Sequence, residues 1–163
     1  LNRGEIMRRN LTIYILIATV MMYCTRLEAL DWETDFKKAS STAKASGKYI
    51  MLDFSGSDWC GWCIKLEKEV FSQDAFKDFA EKNLVCVLVD FPRKKNQTGE
   101  QKQQNRDLAT KYGIRGYPTI IILSPDGEPV TRTGYLQGGS RNYVQHLNEI
   151  IERHNQTQKD QHE

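Results

Sequence analysis

Three short runs leave this chain few choices of fold: YIMLDF at 49–54, LVCVLV at 84–89 and TIIIL at 119–123. Runs of five or six residues that are almost wholly apolar leave no wet face. Each therefore reads as a strand covered on both sides, the situation of central strands in an α/β layer. Helical spacing fills the intervals. Trp32, Phe36, Ala39 and Ala43 recur at near-helical intervals behind Asp31, a candidate N-cap, and Gly47 supplies a stop. Cys60 to Val70 carries a second helical pattern through Cys63, Leu66 and Glu67, and Ser72 can cap a continuation with Phe76, Phe79 and Ala80. A polar loop from Pro92 passes near Gln104 into a helix that ends at Tyr112–Gly113. Pro125-Asp126-Gly127 is a turn, 129–133 an outer strand, and Gly138-Gly139 precede a last amphipathic helix. From His154 the tail is polar and is expected to fray. Strands alternating with helices predict an α/β fold with a central sheet and one domain, residues 30–153, followed by the tail 154–163.

The front of the chain reads as an address. Met7 is followed by Arg8 and Arg9, an apolar run from Leu11 to Tyr23, and Leu27-Glu28-Ala29. That is the layout of a secretory signal peptide with cleavage near Ala29; residues 1–6 form an upstream extension. The alternative is an uncleaved anchor. Thirteen residues of helix reach only roughly 20 Å against roughly 30 Å of hydrocarbon. Once 1–29 is set aside, with Arg3, Arg8, Arg9 and Arg26 against Glu5 and Glu28, 19 basic and 19 acidic side chains remain. A neutral body gives no electrostatic reason to expect a nucleic-acid partner or a stable membrane contact after cleavage. Arg93, Lys94 and Lys95 read as a solvated loop face.

Cleavage near Ala29 leaves Cys60, Cys63 and Cys86, the wrong number for a disulfide-stapled scaffold. Two cysteines separated by two residues can open and close a disulfide with little backbone movement. Cys60 at a helix start faces unpaired N–H groups that stabilise a thiolate. A zinc pair and an inert disulfide are the alternatives. Zinc needs four ligands, and His146, His154 and His162 lie far along the chain. Asp53, in an otherwise apolar strand, is expected to have a raised pKa, unless it sits at the surface as a strand-end cap. Cys86 reads as a buried small hydrophobe.

The segments YIMLDF-SGSD-WCGWC-IKLEKEVF and YGIRGYPTIIIL resemble the active-site strand, loop and helix, and the cis-proline region, of thioredoxin-like thiol–disulfide oxidoreductases. The likeness covers roughly 32–152. GSDWCxWCIK, VDFP with its Gln/Lys-rich insertion, and the Gly-Gly pair resemble periplasmic disulfide reductases of the DsbH type. The resemblance implies a thioredoxin-like fold with a central mixed sheet, and a redox-active disulfide between Cys60, the attacking sulfur, and Cys63, the resolving one. It implies Asp53 as the proton-handling acid, and Trp59, Trp62, Tyr117 and Pro118 as substrate-binding residues, with a cis peptide before Pro118. Asp53 stands one residue further from the first cysteine than the family pattern, and Cys86 falls where thioredoxins carry a lysine. No metal and no cofactor are implied. The expected partners are disulfide-containing protein substrates and an unidentified electron donor, the protein acting as a monomer in a bacterial periplasm. A disulfide-forming oxidant or isomerase, and a binding module without turnover, stay open as rivals. Trp62 stands where disulfide isomerases carry histidine and brings no charge, so the couple is expected to lean reducing.

Overall fold

The computed structural model describes residues 30–161. The signal peptide expected over 1–29 lies outside the described residues. In chain order the elements are α1 (Phe36–Ser46), β1 (Tyr49–Ser55), α2 (Gly61–Leu66), a π-helical turn (Glu67–Phe71), α3 (Asp74–Asn83) and β2 (Leu84–Asp90). They are followed by α4 (Gly99–Lys111), β3 (Thr119–Leu123), β4 (Pro129–Thr133) and α5 (Gly139–Asp160).

The sheet order is β2-β1-β3-β4. β1 runs parallel to β2, pairing Asp53 with Leu88, and antiparallel to β3, pairing Asp53 with Ile120. β4 closes the other edge antiparallel to β3. This is the mixed α/β sheet expected, and every residue of β1 is buried. Alternation splits the core in two. Ile50, Leu52 and Phe54 face α1 and α4 through Ala39, Ala43, Leu108 and Tyr112. Tyr49 and Met51 face α2, α3 and α5 through Leu66, Val70, Phe76, Tyr143 and Leu147.

Three local expectations are corrected. The first helix starts at Phe36, with Asp35 rather than Asp31 capping it through the Lys38 N–H at 3.1 Å. Residues before it run alongside β2 instead: Glu33 donates to the Cys86 carbonyl and accepts from the Leu88 N–H, both at 2.9 Å. The helix after Cys60 is not uniform. It widens into a π turn at Glu67, and Ser72 turns its hydroxyl back to the Lys68 carbonyl instead of capping α3. The tail does not fray at His154, because α5 continues to Asp160. The Tyr49 hydroxyl holds it there, 2.8 Å from His154 Nδ1 and donating to Asn155 Oδ1 at 2.7 Å.

Among the described residues no helix is long and apolar enough to cross a membrane.

Candidate active site

The end of β1 hands the chain to a loop that delivers Cys60 to the first position before α2. Cys60 is the N-cap in extended backbone, and its Sγ accepts the Cys63 N–H at 3.2 Å. A sulfur in that place stands in for the side-chain oxygen of an ordinary cap and meets the partial positive charge of the helix start. Cys60 and Cys63 form a disulfide with Cα atoms 5.2 Å apart. Both are buried, at 7% and 5% exposure.

The loop is clamped from below. Asp58 accepts the backbone N–H groups of Arg93, Lys94 and Lys95 at 2.9, 2.7 and 3.2 Å. These bonds, the one from Arg93 foremost, hold its carboxyl below the usual range. Ser57 adds two bonds to the Asp90 carboxylate, through its N–H at 2.9 Å and its hydroxyl at 2.6 Å. The loop is thus pinned to the end of β2 and to the segment that follows it.

Trp59 folds back over Gly56, where a Cβ would come within 2.5 Å of the indole, so any side chain there would displace the ring. Its Nε1 donates to the Phe91 carbonyl at 2.8 Å. Tyr117 meets Trp59 edge-on with centroids 5.9 Å apart and Phe91 at 5.3 Å. The Tyr117–Pro118 peptide is cis. Trp62 lies apart from this cluster, against Tyr135 at 5.2 Å. Trp59 and Tyr117, the sequence neighbours of Cys60 and Pro118, therefore form one aromatic wall with Phe91, while Trp62 forms a second with Tyr135. Among the described residues, Trp59, Trp62 and Ile64 are the large apolar side chains left exposed, at 36%, 56% and 49%.

Asp53 opens onto the back of the pair. A cleft of about 340 Å³ is lined by Asp53, Cys63, Ile64, Glu67, Trp32 and Lys95, among others. Burial, and then the negative charges of Glu67 and Asp90, push the Asp53 carboxyl up to about 8. Its Oδ1 is buried without a hydrogen-bond partner among the described residues. The surface-cap alternative for Asp53 is thereby excluded. Cys86 is a buried free thiol whose pKa burial raises strongly, with the Asp53 charge adding to it. Glu67 is also raised, by desolvation. A larger hollow of about 470 Å³ lies at the other end of β1, beside Tyr49, Lys48, Asp126 and His154, and contains none of the expected site residues. Among the described residues no cluster of His, Cys, Asp and Glu is arranged to hold a metal ion.

Sequence reasoning did not find Tyr135, Lys65, Phe91 or Glu67. Lys65 lies 5.0 Å from the Trp62 ring and 5.1 Å from that of Tyr135, whose hydroxyl donates to Glu69 at 2.6 Å. Arg93 stacks over Trp59 at 4.0 Å. Only Lys65 and Glu67 carried a local signal, being on the cysteine helix. Tyr135 and Phe91 arrive from distant loops.

The family model of thioredoxin-like domains matches residues 36–150. Over 115 residues the chain is 39% identical to the disulfide bond reductase DsbH of Chlamydia pneumoniae, covering 71% of this chain and 69% of that protein. It is 32% identical over 107 residues to the thioredoxin-related protein DsbJ of the same organism, covering 66% of this chain but 31% of the relative. A solved structure of a DsbH oxidoreductase superposes with a TM-score of 0.72 at 37% identity, covering 78% of this chain and 90% of that one. The chain belongs to the thioredoxin-like family and is a thiol–disulfide oxidoreductase with a Cys60–Cys63 pair.

Proposed function

We propose that this protein is exported by the signal peptide at 1–29 and works as a monomer in a bacterial periplasm, where its folded unit reduces disulfides of other proteins. The placement of the Cys60 sulfur as the cap of α2, taking the Cys63 N–H at 3.2 Å, is the observation that carries the reading. In the reduced protein that N–H and the helix start favour the thiolate.

The Cys60 thiolate attacks one sulfur of a substrate disulfide. One S–S bond breaks, a mixed disulfide forms, and the first substrate thiolate leaves. Cys63 then loses its proton and attacks Cys60 Sγ, which closes the Cys60–Cys63 disulfide and releases the second substrate thiolate. Two electrons have passed to the substrate, and a dithiol donor must return them to the pair. Asp53 opens onto the cleft that Cys63 lines and takes the Cys63 proton when ionised. A carboxyl near 8 is well matched to that exchange close to neutral pH. Trp59, Tyr117 and Pro118 form the wall along which the substrate segment lies, and Trp62 forms the opposite contact.

The reducing direction is supported by the neutral indole of Trp62 and by the name of the DsbH relative. Equilibration with glutathione tests it. The expected potential lies below about −230 mV, towards the thioredoxin value of about −270 mV. A value near −120 mV, with oxidation of a dithiol substrate outrunning reduction of a disulfide, would reverse the direction.

A further inference from the structure

The two tryptophans beside Cys60 share an unusual property: a cation covers one face of each. Arg93 lies 4.0 Å above the Trp59 ring and Lys65 5.0 Å from that of Trp62. Arg93 has no carboxylate partner among the described residues, and Lys94, Lys95 and Arg115 are likewise exposed without an ion pair there. Arg93 to Lys95 leave the end of β2 directly after Phe91, and Arg115 precedes Tyr117 by two residues. Phe91 and Tyr117 touch, so these two loops border the same aromatic wall.

The carboxylates nearby are already committed. Asp58 keeps its negative charge while accepting three backbone N–H groups, and Glu69 accepts from Tyr135 and faces Lys65 at 3.9 Å. Glu67 lines the cleft that leads to Asp53 rather than the aromatic wall. In a body of balanced charge, Arg93, Lys94, Arg115 and Lys65 still outnumber Asp58 and Glu69 beside the two aromatic walls, which gives this face a net positive rim. An apolar centre with a one-sign border steers partners of opposite charge and repels like ones.

We propose that the face around Cys60 selects disulfides held in acidic segments, with apolar side chains next to the cysteine and Asp or Glu flanking them. This rests on the thiol-exchange reading of Cys60 and names its substrate class. The indoles and Tyr117 receive the apolar side chains; Arg93, Lys94 and Lys65 meet the carboxylates. Because the rim acts on encounter, the preference holds whichever way electrons flow.

Two peptides with one identical Trp-Cys core, flanked by Glu in one and Lys in the other, test the proposal on the full chain. Each is presented as a disulfide to the reduced protein and as a thiol to the oxidised protein. The expected result is about a tenfold larger second-order rate for the acidic peptide at low salt, shrinking towards unity at about 0.5 M salt. Arg93→Glu with Lys94→Glu should invert the ratio, and Arg93→Gln, a milder change, should reduce it. Equal rates at low salt would mean an uncharged occupant, and a faster Lys peptide a basic one; either overturns the proposal. So would a dimer, seen by sedimentation, whose formation slows both peptides alike, since the patch would then belong to a second copy. If only the oxidising direction runs while the acidic preference persists, the reductase reading falls and the proposal stands.

Discussion

The two faces of β1 are built from neighbouring residues and could hardly differ more. Ile50, Leu52 and Phe54 point into hydrocarbon between α1 and α4, all fully buried and unremarkable. The other face begins in the same way with Tyr49 and Met51 and then places Asp53 beside the helix that holds the cysteines. Nearby are a second group with nowhere to ionise, Cys86, and the fully buried Tyr143, whose hydroxyl lacks a partner among the described residues and whose pKa burial and the Asp53 charge both raise. One face stabilises the fold. The other gives up part of that stability to a buried carboxyl in the cleft that Cys63 also lines.

The sharpest test sets one residue from each side against the other. Cys63→Ser should abolish turnover and trap long-lived mixed disulfides through Cys60, detectable by mass spectrometry, whereas Leu52→Ala should cost about 2–5 kcal/mol in denaturant unfolding and leave exchange chemistry intact in the folded fraction. Adducts found mainly on Cys63 in a Cys60→Ser protein would reverse the assignment of the two sulfurs.

Asp53→Asn should separate stability from activity. The folded carboxyl sits near 8 and the unfolded one near 3.9, so the folded state binds the extra proton in between. Wild-type stability therefore falls as pH rises from about 4 to about 8, then levels off. At pH 9 the Asn variant should be the more stable, by at most about 6 kcal/mol and by less if water enters the cleft. Its resolution step should be slower and lose the rise with pH that the wild type shows on approaching 8. Unchanged stability and unchanged turnover would remove Asp53 from the mechanism. Glu67→Gln should do something smaller on the same axis: removing a negative neighbour should move the Asp53 titration, and the pH profile of resolution, downward.

Accessibility gives a third contrast. In the reduced native protein a thiol reagent should modify Cys60 quickly, and Cys86 only after unfolding, since Cys86 is 2% exposed and its thiolate is strongly disfavoured. Rapid native labelling of Cys86 would mean that this face opens. The smallest effect belongs to the rim. Trp62→His should raise the reduction potential by a few tens of millivolts, about 30 mV per 1.4 kcal/mol of thiolate stabilisation. No shift would mean that Lys65, already within 5.0 Å of the ring, supplies the local charge.

Legibility in the sequence followed the range of the forces involved. β3 and β4 have the bounds expected from sequence, and β1 and β2 each gain one residue, because an uninterrupted apolar run admits little else once it is covered on both sides. Cys60 at a helix start was legible for the same local reason. Trp32 misled the helix assignment, since its spacing to Phe36 is helical but its burial comes from packing against Phe71 at 5.2 Å. The π turn inserts its widening without changing which residues are apolar, so no periodicity reports it. The last nine residues of α5, 152–160, lack an apolar stripe and are held by polar pairs four apart, such as Gln156 with Asp160, and by Tyr49. Asp58 and the cation-covered indoles depend on how one loop folds over another, which no local pattern encodes.

The tether between Tyr49 and the end of α5 bears on where a shortened version of this protein can be cut. The family match stops at residue 150, one residue before the last buried position of α5, Ile151. A chain trimmed there would lose His154 and Asn155 and strand the Tyr49 hydroxyl at the first residue of β1. Asp53 lies four residues further along that strand. The minimal unit for a fusion or a crystallisation trial therefore ends beyond Asn155, and a protease that clips the last turns of α5 would act on the active-site strand from its far end.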